Sequence, residues 1–311
     1  MSVLRQQLRC ETGESVDFIT CRTQLSRLWF VNNNELALAI LSYLAKYYQF
    51  FGVTLYAFVI MGNHYHLIAQ FPLKNRAGFM RAFNSIIQKL VKRHVKEFEG
   101  GTLWGRRYSA EVLPNKEDVS HYALYAWLNC VISGLALRLS DYASYNSFSD
   151  SARRIKRIFR VVDWTGYNNR KRHNSKLSIK DCTKEYTLEF ARLPGCETMT
   201  DRDYCQHLHC LLEKRRIKEV TKRQEEGKGF AGVEELKRTR PGDKPQTTKT
   251  SSRESRRPVV LTLCAITRKA FLEWYFGVVA AYKEASRRYR AGDYGVEFPP
   301  GTYKPPLFSV A

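Results

Sequence analysis

Two histidines stand one residue apart in "MGNHYHLIAQ" (Met61 to Gln70), and a tyrosine and an asparagine stand four apart in "HYALYAWLN" (His121 to Asn129). In an extended strand, residues i and i+2 share a face, so His64 and His66 would project together. Two neutral imidazoles side by side are half of a divalent-metal site or a proton-handling pair. The plainer alternative is two core histidines satisfied by hydrogen bonds. On a helix, Tyr125 and Asn129 lie one turn apart on one face. A tyrosine hydroxyl beside a metal can act as a nucleophile on a phosphodiester that the metal polarises. An amide oxygen is an acceptable hard ligand for Mg²⁺ or Mn²⁺. Tyr122 shares that face and competes with Tyr125 for the role of nucleophile.

The elements that must carry these residues are legible over positions 1–150. "VDFITCRT" has strand composition, and "ELALAILSYLAKYYQFF" has helical apolar spacing after the N-cap signals at Asn32 to Asn34. "VTLYAFVIM", the Gly62-Asn63 turn and His64 to Phe71 read as a β-hairpin. "RAGFMRAFNSIIQKLVKRHVKEF" reads as a basic amphipathic helix, Tyr108 to Leu113 as a short strand, and "VSHYALYAWLNCVIS" as a helix stopped by Gly134. The order predicts an α+β, ferredoxin-like split βαβ fold, βαββαβ plus one further helix that would be the catalytic one.

Charge separates the two halves. Lys and Arg number 51 against 30 Asp and Glu, a net charge of +21 and a pI near 9.7. Residues 1–150 hold 16 basic and 11 acidic side chains, and the remainder holds 35 against 19. That excess points to a polyanion, nucleic acid by default. Residues 151–224 read as a basic, mostly helical extension, 225–258 as a flexible linker, and 259–311 as a long helix with a Pro-rich tail. Arg153, Arg154, Lys156, Arg157 and the run Arg170 to Arg172 are candidates to line a DNA path. The eight cysteines form no C-x-x-C pair, and the opening residues lack the apolar core of a signal peptide. The expectation is a reduced, cytoplasmic protein without a membrane span.

Three motifs then add a resemblance. "MGNHYHLIAQ" resembles the "MPNHVHLL" signature of the HUH single-tyrosine transposases, in particular the REP-associated and IS200-like tyrosine transposases. "LWGRRY" (Leu103 to Tyr108) is similar to that family's "LWQRRF", and "LYAWLNCVISGLAL" to its "RYIHLNPVRAGLV". The resemblance covers residues 1–150. It implies a ferredoxin-like enzyme that cleaves and rejoins single-stranded DNA, with His64, His66 and Asn129 as ligands of Mg²⁺ or Mn²⁺ and Tyr125 as the nucleophile. It further implies a 5′-phosphotyrosine intermediate and a free 3′-OH. The expected partners are single-stranded DNA with hairpins or inverted repeats, in a bacterial cytosol and near the nucleoid, with a homodimer compatible. Gly62 and Cys130 stand where the family has proline, Ser133 where it has a basic residue, and Tyr65 in an apolar slot.

Competing readings remain at this level. One is a domesticated, catalytically silent nucleic-acid-binding regulator, and another is a hydrolytic metal-dependent nuclease. Arg106, Arg107 and Trp104 could bind DNA, phosphate on the guanidinium groups and a base on the indole. A packed tryptophan between solvated arginines is the plain alternative. "CQHLHC" (Cys205 to Cys210) looks like a zinc motif, but its helical setting would send His207 and His209 to different sides.

Overall fold

The computed structural model describes residues 7–174, 176–245 and 258–306. Strands β1 (Val16–Arg22), β2 (Thr54–Met61), β3 (His64–Gln70) and β4 (Ser109–Leu113) form an antiparallel sheet in the order β2-β3-β1-β4. Helices α1 (Asn34–Phe50) and α2 (Arg76–His94) make the two crossovers, and α3 (Lys116–Trp127) follows β4. This is the split βαβ order expected from the sequence.

Alternation along the strands divides the molecule into two cores. Ile19, Cys21, Ile60, Tyr65 and Leu67 face α1 and α2, meeting Leu36, Ile40, Leu44, Phe79, Phe83 and Ile87. Phe18, Val59, Met61 and Ile68 face the other way, onto Val119, Ala123 and Trp127 of α3. His64 and His66 share the parity of Ile68, so the pleat directs them toward α3. A bulge between Leu55 and Ala57 shifts the alternation by one residue, so Leu55 and Phe58 face the first core and Tyr56 and Ala57 the second.

The α1–α2 layer is anchored by a buried charge cluster. Arg76 opens α2 and donates from Nη1 to Asp17 Oδ1 at 2.6 Å. The Glu11 carboxylate accepts from the backbone N–H groups of Arg76 and Ala77 at 2.9 and 3.1 Å, capping the helix. Arg76→Met should lower stability by about 3–5 kcal/mol, because it strands the buried Asp17 carboxylate. Denaturant unfolding measures this; a loss below about 1 kcal/mol would assign the cluster no structural role.

The remaining helices are α4 (Asn129–Ile132), α5 (Phe148–Ala152), α6 (Trp164–Lys171), α7 (Asp201–Glu225), α8 (Val233–Arg238) and α9 (Ala265–Arg290). The second half is mostly helical, as expected, and three features add to that reading. Residues 151–224 include an antiparallel pair, β5 (Arg157–Val162) with β6 (Thr183–Leu188), which packs on α1. The boundary at residue 150 is not a break in packing: Leu188 and Phe190 join the first core, and Leu193, Tyr204, Leu208 and Leu212 join the second. Residues 225–245, expected to be part of a linker, hold α8 and hydrogen-bond to the first half. Leu28 N–H donates to Asp243 O at 2.9 Å, Gly242 N–H to Leu28 O at 3.1 Å, and Asn32 Nδ2 to the carbonyls of Leu236 and Thr239. The rest of that stretch, 246–257, lies outside the described residues.

Both open edges of the sheet are covered by later chain. Val259 and Leu261 hydrogen-bond to Val112 on the β4 side. On the β2 side, Ser147 N–H donates to Phe58 O at 3.0 Å while its Oγ accepts from Phe58 N–H and Trp127 Nε1–H at 2.9 and 3.0 Å. Covered edges remove the templates for unwanted strand pairing. Glu11 N–H donates to Gly301 O, so the tail folds back onto the N-terminal segment.

Candidate active site

The His64 and His66 imidazoles converge. Their Nε2 atoms lie 3.2 Å apart, with ring planes at 81°. Each Nδ1 faces its own partner: Asn63 Oδ1 lies 2.7 Å from His64 Nδ1, and Thr20 Oγ1 lies 2.9 Å from His66 Nδ1. The register explains the second contact, because Thr20 lies directly opposite His66 on β1. Asn63 Oδ1 can only accept, so His64 carries its proton on Nδ1 and turns the Nε2 lone pair toward His66.

That arrangement fits a divalent cation. Nitrogens about 2.1 Å from one ion, at angles between octahedral and tetrahedral, sit about 3.0 to 3.4 Å apart. Nδ1 partners of this kind fix the tautomer and aim of a metal-binding histidine. Among the described residues no third His, Cys, Asp or Glu joins the pair to make a metal-binding group.

Tyr125 projects from α3 to the same place. Its ring centroid is 5.9 Å from that of His66 and 6.0 Å from that of Phe18, edge-on to both. Phe18 in turn stacks on His66 at 5.0 Å. Tyr122 meets Phe18 at 5.5 Å and His121 at 5.0 Å, one turn further from the histidines. The helix breaks at Leu128 between α3 and α4, and Asn129 opens α4, buried. Its Oδ1 accepts from Ser133 Oγ at 3.4 Å, and its side chain lies near enough to Tyr125 to favour the phenolate. Burial pushes the Tyr125 phenol above its ordinary range, while the Asn129 side chain and the charges of Arg215 and Arg22 pull the other way.

Those two arginines were not singled out in the sequence. Arg22 lies opposite His64 on β1, and its buried Nε has no hydrogen-bond partner among the described residues. Arg215, on α7, donates from Nη1 to His121 O at 2.7 Å and pairs with Glu219 at 3.7 Å. Arg22 could have been found from the strand alternation of Phe18, Thr20 and Arg22. Arg215 sits in a helix whose charge pattern gives no hint of its target.

The proposed DNA contacts around Trp104 divide. Trp104 is packed against Tyr65 and Phe30 on the α1–α2 side, and its Nε1–H donates to Asn84 O at 3.0 Å. Those contacts engage its indole N–H and part of its ring, and the side chain stays half-buried. Arg106 and Arg107 are exposed. Several basic residues of the extension also have internal partners: Lys156 pairs with Glu189, Arg157 with Asp150, and Arg154 donates to Phe190 O. In "CQHLHC", His209 Nδ1–H donates to the Cys205 carbonyl at 2.9 Å and its ring meets Phe148. Gly62 has a clear local reason: its N–H donates to Tyr142 Oη at 3.0 Å, and a Cβ would meet Leu28 and Val31 at 2.9 Å. Proline could not make that hydrogen bond.

Comparison with solved structures lists a REP-associated tyrosine transposase bound to a REP hairpin. It is 20% identical, with a TM-score of 0.38 over 50% of this chain and 87% of that one. A tRNA(His) guanylyltransferase from Saccharomyces cerevisiae is 11% identical, with a TM-score of 0.33 over 44% of this chain and 66% of that one. No curated protein matches the chain. No helix among the described residues is long and apolar enough to cross a membrane. Tyr125 and Asn129 fall just beyond the stretch that matches a family, whereas Thr20, Arg22 and both histidines fall within it. That family is the one the three motifs resemble: residues 20–123 match the IS200-like transposases.

Proposed function

We propose that this chain cleaves and rejoins single-stranded DNA, with Tyr125 as the nucleophile. The observation that carries the reading is the convergence of the His64 and His66 Nε2 atoms beside the Tyr125 ring. The family match over residues 20–123 supports it.

Tyr125 Oη attacks a phosphodiester phosphorus. The P–O3′ bond breaks as the P–Oη bond forms, leaving a 5′-phosphotyrosine. The phenol gives up its proton and the departing 3′-oxygen gains one. The reverse attack by a 3′-OH restores a phosphodiester, so no nucleotide triphosphate is needed. His64 and His66 would hold Mg²⁺ or Mn²⁺, with Asn129 as the third ligand. When bound, the metal polarises the phosphodiester as a Lewis acid. Asn129 orients the Tyr125 hydroxyl, and Arg22 and Arg215 supply positive charge where phosphoryl charge develops. Phe18 holds the His66 ring in place. Single strands that fold into hairpins are the proposed substrates.

The test is incubation with a labelled single-stranded hairpin oligonucleotide and Mn²⁺. A DNA–protein adduct that survives denaturation supports the proposal. Release of both DNA fragments without adduct would favour a hydrolytic nuclease instead.

A finer expectation concerns Thr20. Thr20→Val removes the hydroxyl that orients His66 but keeps the volume. It should weaken apparent metal affinity about 10- to 100-fold, as losses of such outer partners do. Excess Mn²⁺ should restore cleavage. Activity titrations against metal concentration measure this; an unchanged midpoint would sink the orienting role.

A further inference from the structure

A second site lies on the other side of the sheet. A cleft of about 600 Å³ opens where the outer faces of α1 and α2 meet α6 of the extension. Its volume falls within the range of ligand-binding clefts, about 300–1,000 Å³. Its walls carry Tyr43, Lys46, Tyr47, Lys89, Arg93 and Trp164. α1 and α2 lie on the face of the sheet away from His64, so this cleft is separate from the Tyr125 site.

Two features give it a chemistry. Lys46, Lys89 and Arg93 make no ion pair with a described carboxylate, and Lys46 Nζ sits 6.0 Å from the ring centroids of both Tyr43 and Tyr47. The single acid among the described lining residues, Asp163, is already engaged: its Oδ1 accepts from Gly166 N–H at 3.0 Å and caps α6. Trp164 is 42% exposed and meets Tyr167 at 6.0 Å with ring planes at 89°. Cations tracking a backbone beside open aromatic faces are the equipment of single-strand binding. A duplex has no unstacked base to offer such rings, and its width exceeds a cleft of this size.

We propose that this cleft binds unpaired nucleotides of single-stranded DNA, with phosphates on Lys46, Lys89 and Arg93 and a base on Trp164. The choice of DNA over RNA rests on the reading of the chain as a DNA-processing enzyme; the cleft itself does not depend on cleavage. A strand bound here would be held by the extension and by the βαββαβ unit together, so the extension contributes to substrate capture through α6.

The experiment titrates the full chain, in chelator, against fluorescein-labelled oligothymidylate at several salt concentrations. Lys89→Ala with Arg93→Ala should weaken binding about tenfold and flatten the log–log salt slope by about 1.4, two phosphate contacts at 0.7 each. Trp164→Ala should weaken binding about fivefold or more, and an abasic oligonucleotide should lose that difference. All three side chains are exposed, so melting temperatures should stay within about 2 °C of the parent. Unchanged affinity and slope would overturn the site. An equal Trp164→Ala effect on the abasic strand would overturn base stacking, and tighter binding of oligouridylate through these residues would overturn the assignment to DNA. If adducts form in the parent chain while these variants bind normally, the cleft alone fails. If the parent forms no adduct yet the variants bind weakly, the enzymatic reading fails and the cleft stands.

Discussion

Replacing Tyr125 by phenylalanine is expected to abolish adduct formation and lower cleavage at least about a thousandfold, as removal of a covalent nucleophile does. The ring stays, so its edge contacts with His66 and Phe18 and most of its buried area stay too. Affinity for a single-stranded oligonucleotide should therefore change little. Tyr122→Phe is the matched control and should keep the adduct, because that ring meets Phe18 and His121 instead. Denaturing gels with end-labelled DNA separate the outcomes. An adduct retained in Tyr125→Phe and lost in Tyr122→Phe would move the nucleophile by one turn.

The second large effect concerns the histidine pair. His64→Ala or His66→Ala removes one of the two convergent Nε2 atoms. Loss of an outer partner already costs about 10- to 100-fold in metal affinity or activity, so loss of a ligand should cost at least about 100-fold. DNA affinity should fall far less, since phosphate contacts elsewhere carry it. Chelation should reproduce the loss in the parent chain, and Mn²⁺ should reverse it. Full cleavage in excess chelator would end the metal reading and leave the histidines as a proton-handling pair.

The sequence made the first half legible because its burial is one-sided. Alternation in "HYHLIAQ" assigns Tyr65 and Leu67 to one core and His66 and Ile68 to the other, and the structure keeps that division. Helix α1 begins where its cap is written: Asn33 Oδ1 accepts from Leu36 N–H at 2.8 Å. The later chain was less legible for physical reasons. "RIFRVV" is hidden in a stretch that reads as basic and mostly helical, because only Val161 is buried in β5 and the rest of the strand lies half-buried or open. Residues 225–245 have little apolar periodicity; backbone hydrogen bonds to Leu28 and side-chain bonds from Asn32 fix them, and neither leaves a pattern in residue type.

The site itself was legible in part. His64 and His66 meet as their spacing requires, and Tyr125 with Asn129 fall one turn apart on a shared side. Trp104 is ambiguous in the sequence because an indole beside arginines has the same composition whether it stacks on a base or fills a core. In the structure its N–H bonds to Asn84 O and its ring packs against Tyr65, which leaves it half-buried. Arg215 shows the opposite failure. A helix rich in arginine reads as a solvated face, and only the packing of α7 on α3 brings this one to the His121 carbonyl.

The most direct measurement is the identity of the residue joined to DNA. Trypsin should release Glu117 to Arg138 as one peptide, which holds both Tyr122 and Tyr125. After reaction with the hairpin oligonucleotide, nuclease trimming and digestion, fragmentation of that peptide locates the added 5′-phosphonucleotide. The account predicts the modification on Tyr125. A modification on Tyr122, on either strand histidine, or on no residue while DNA is still cut would contradict it.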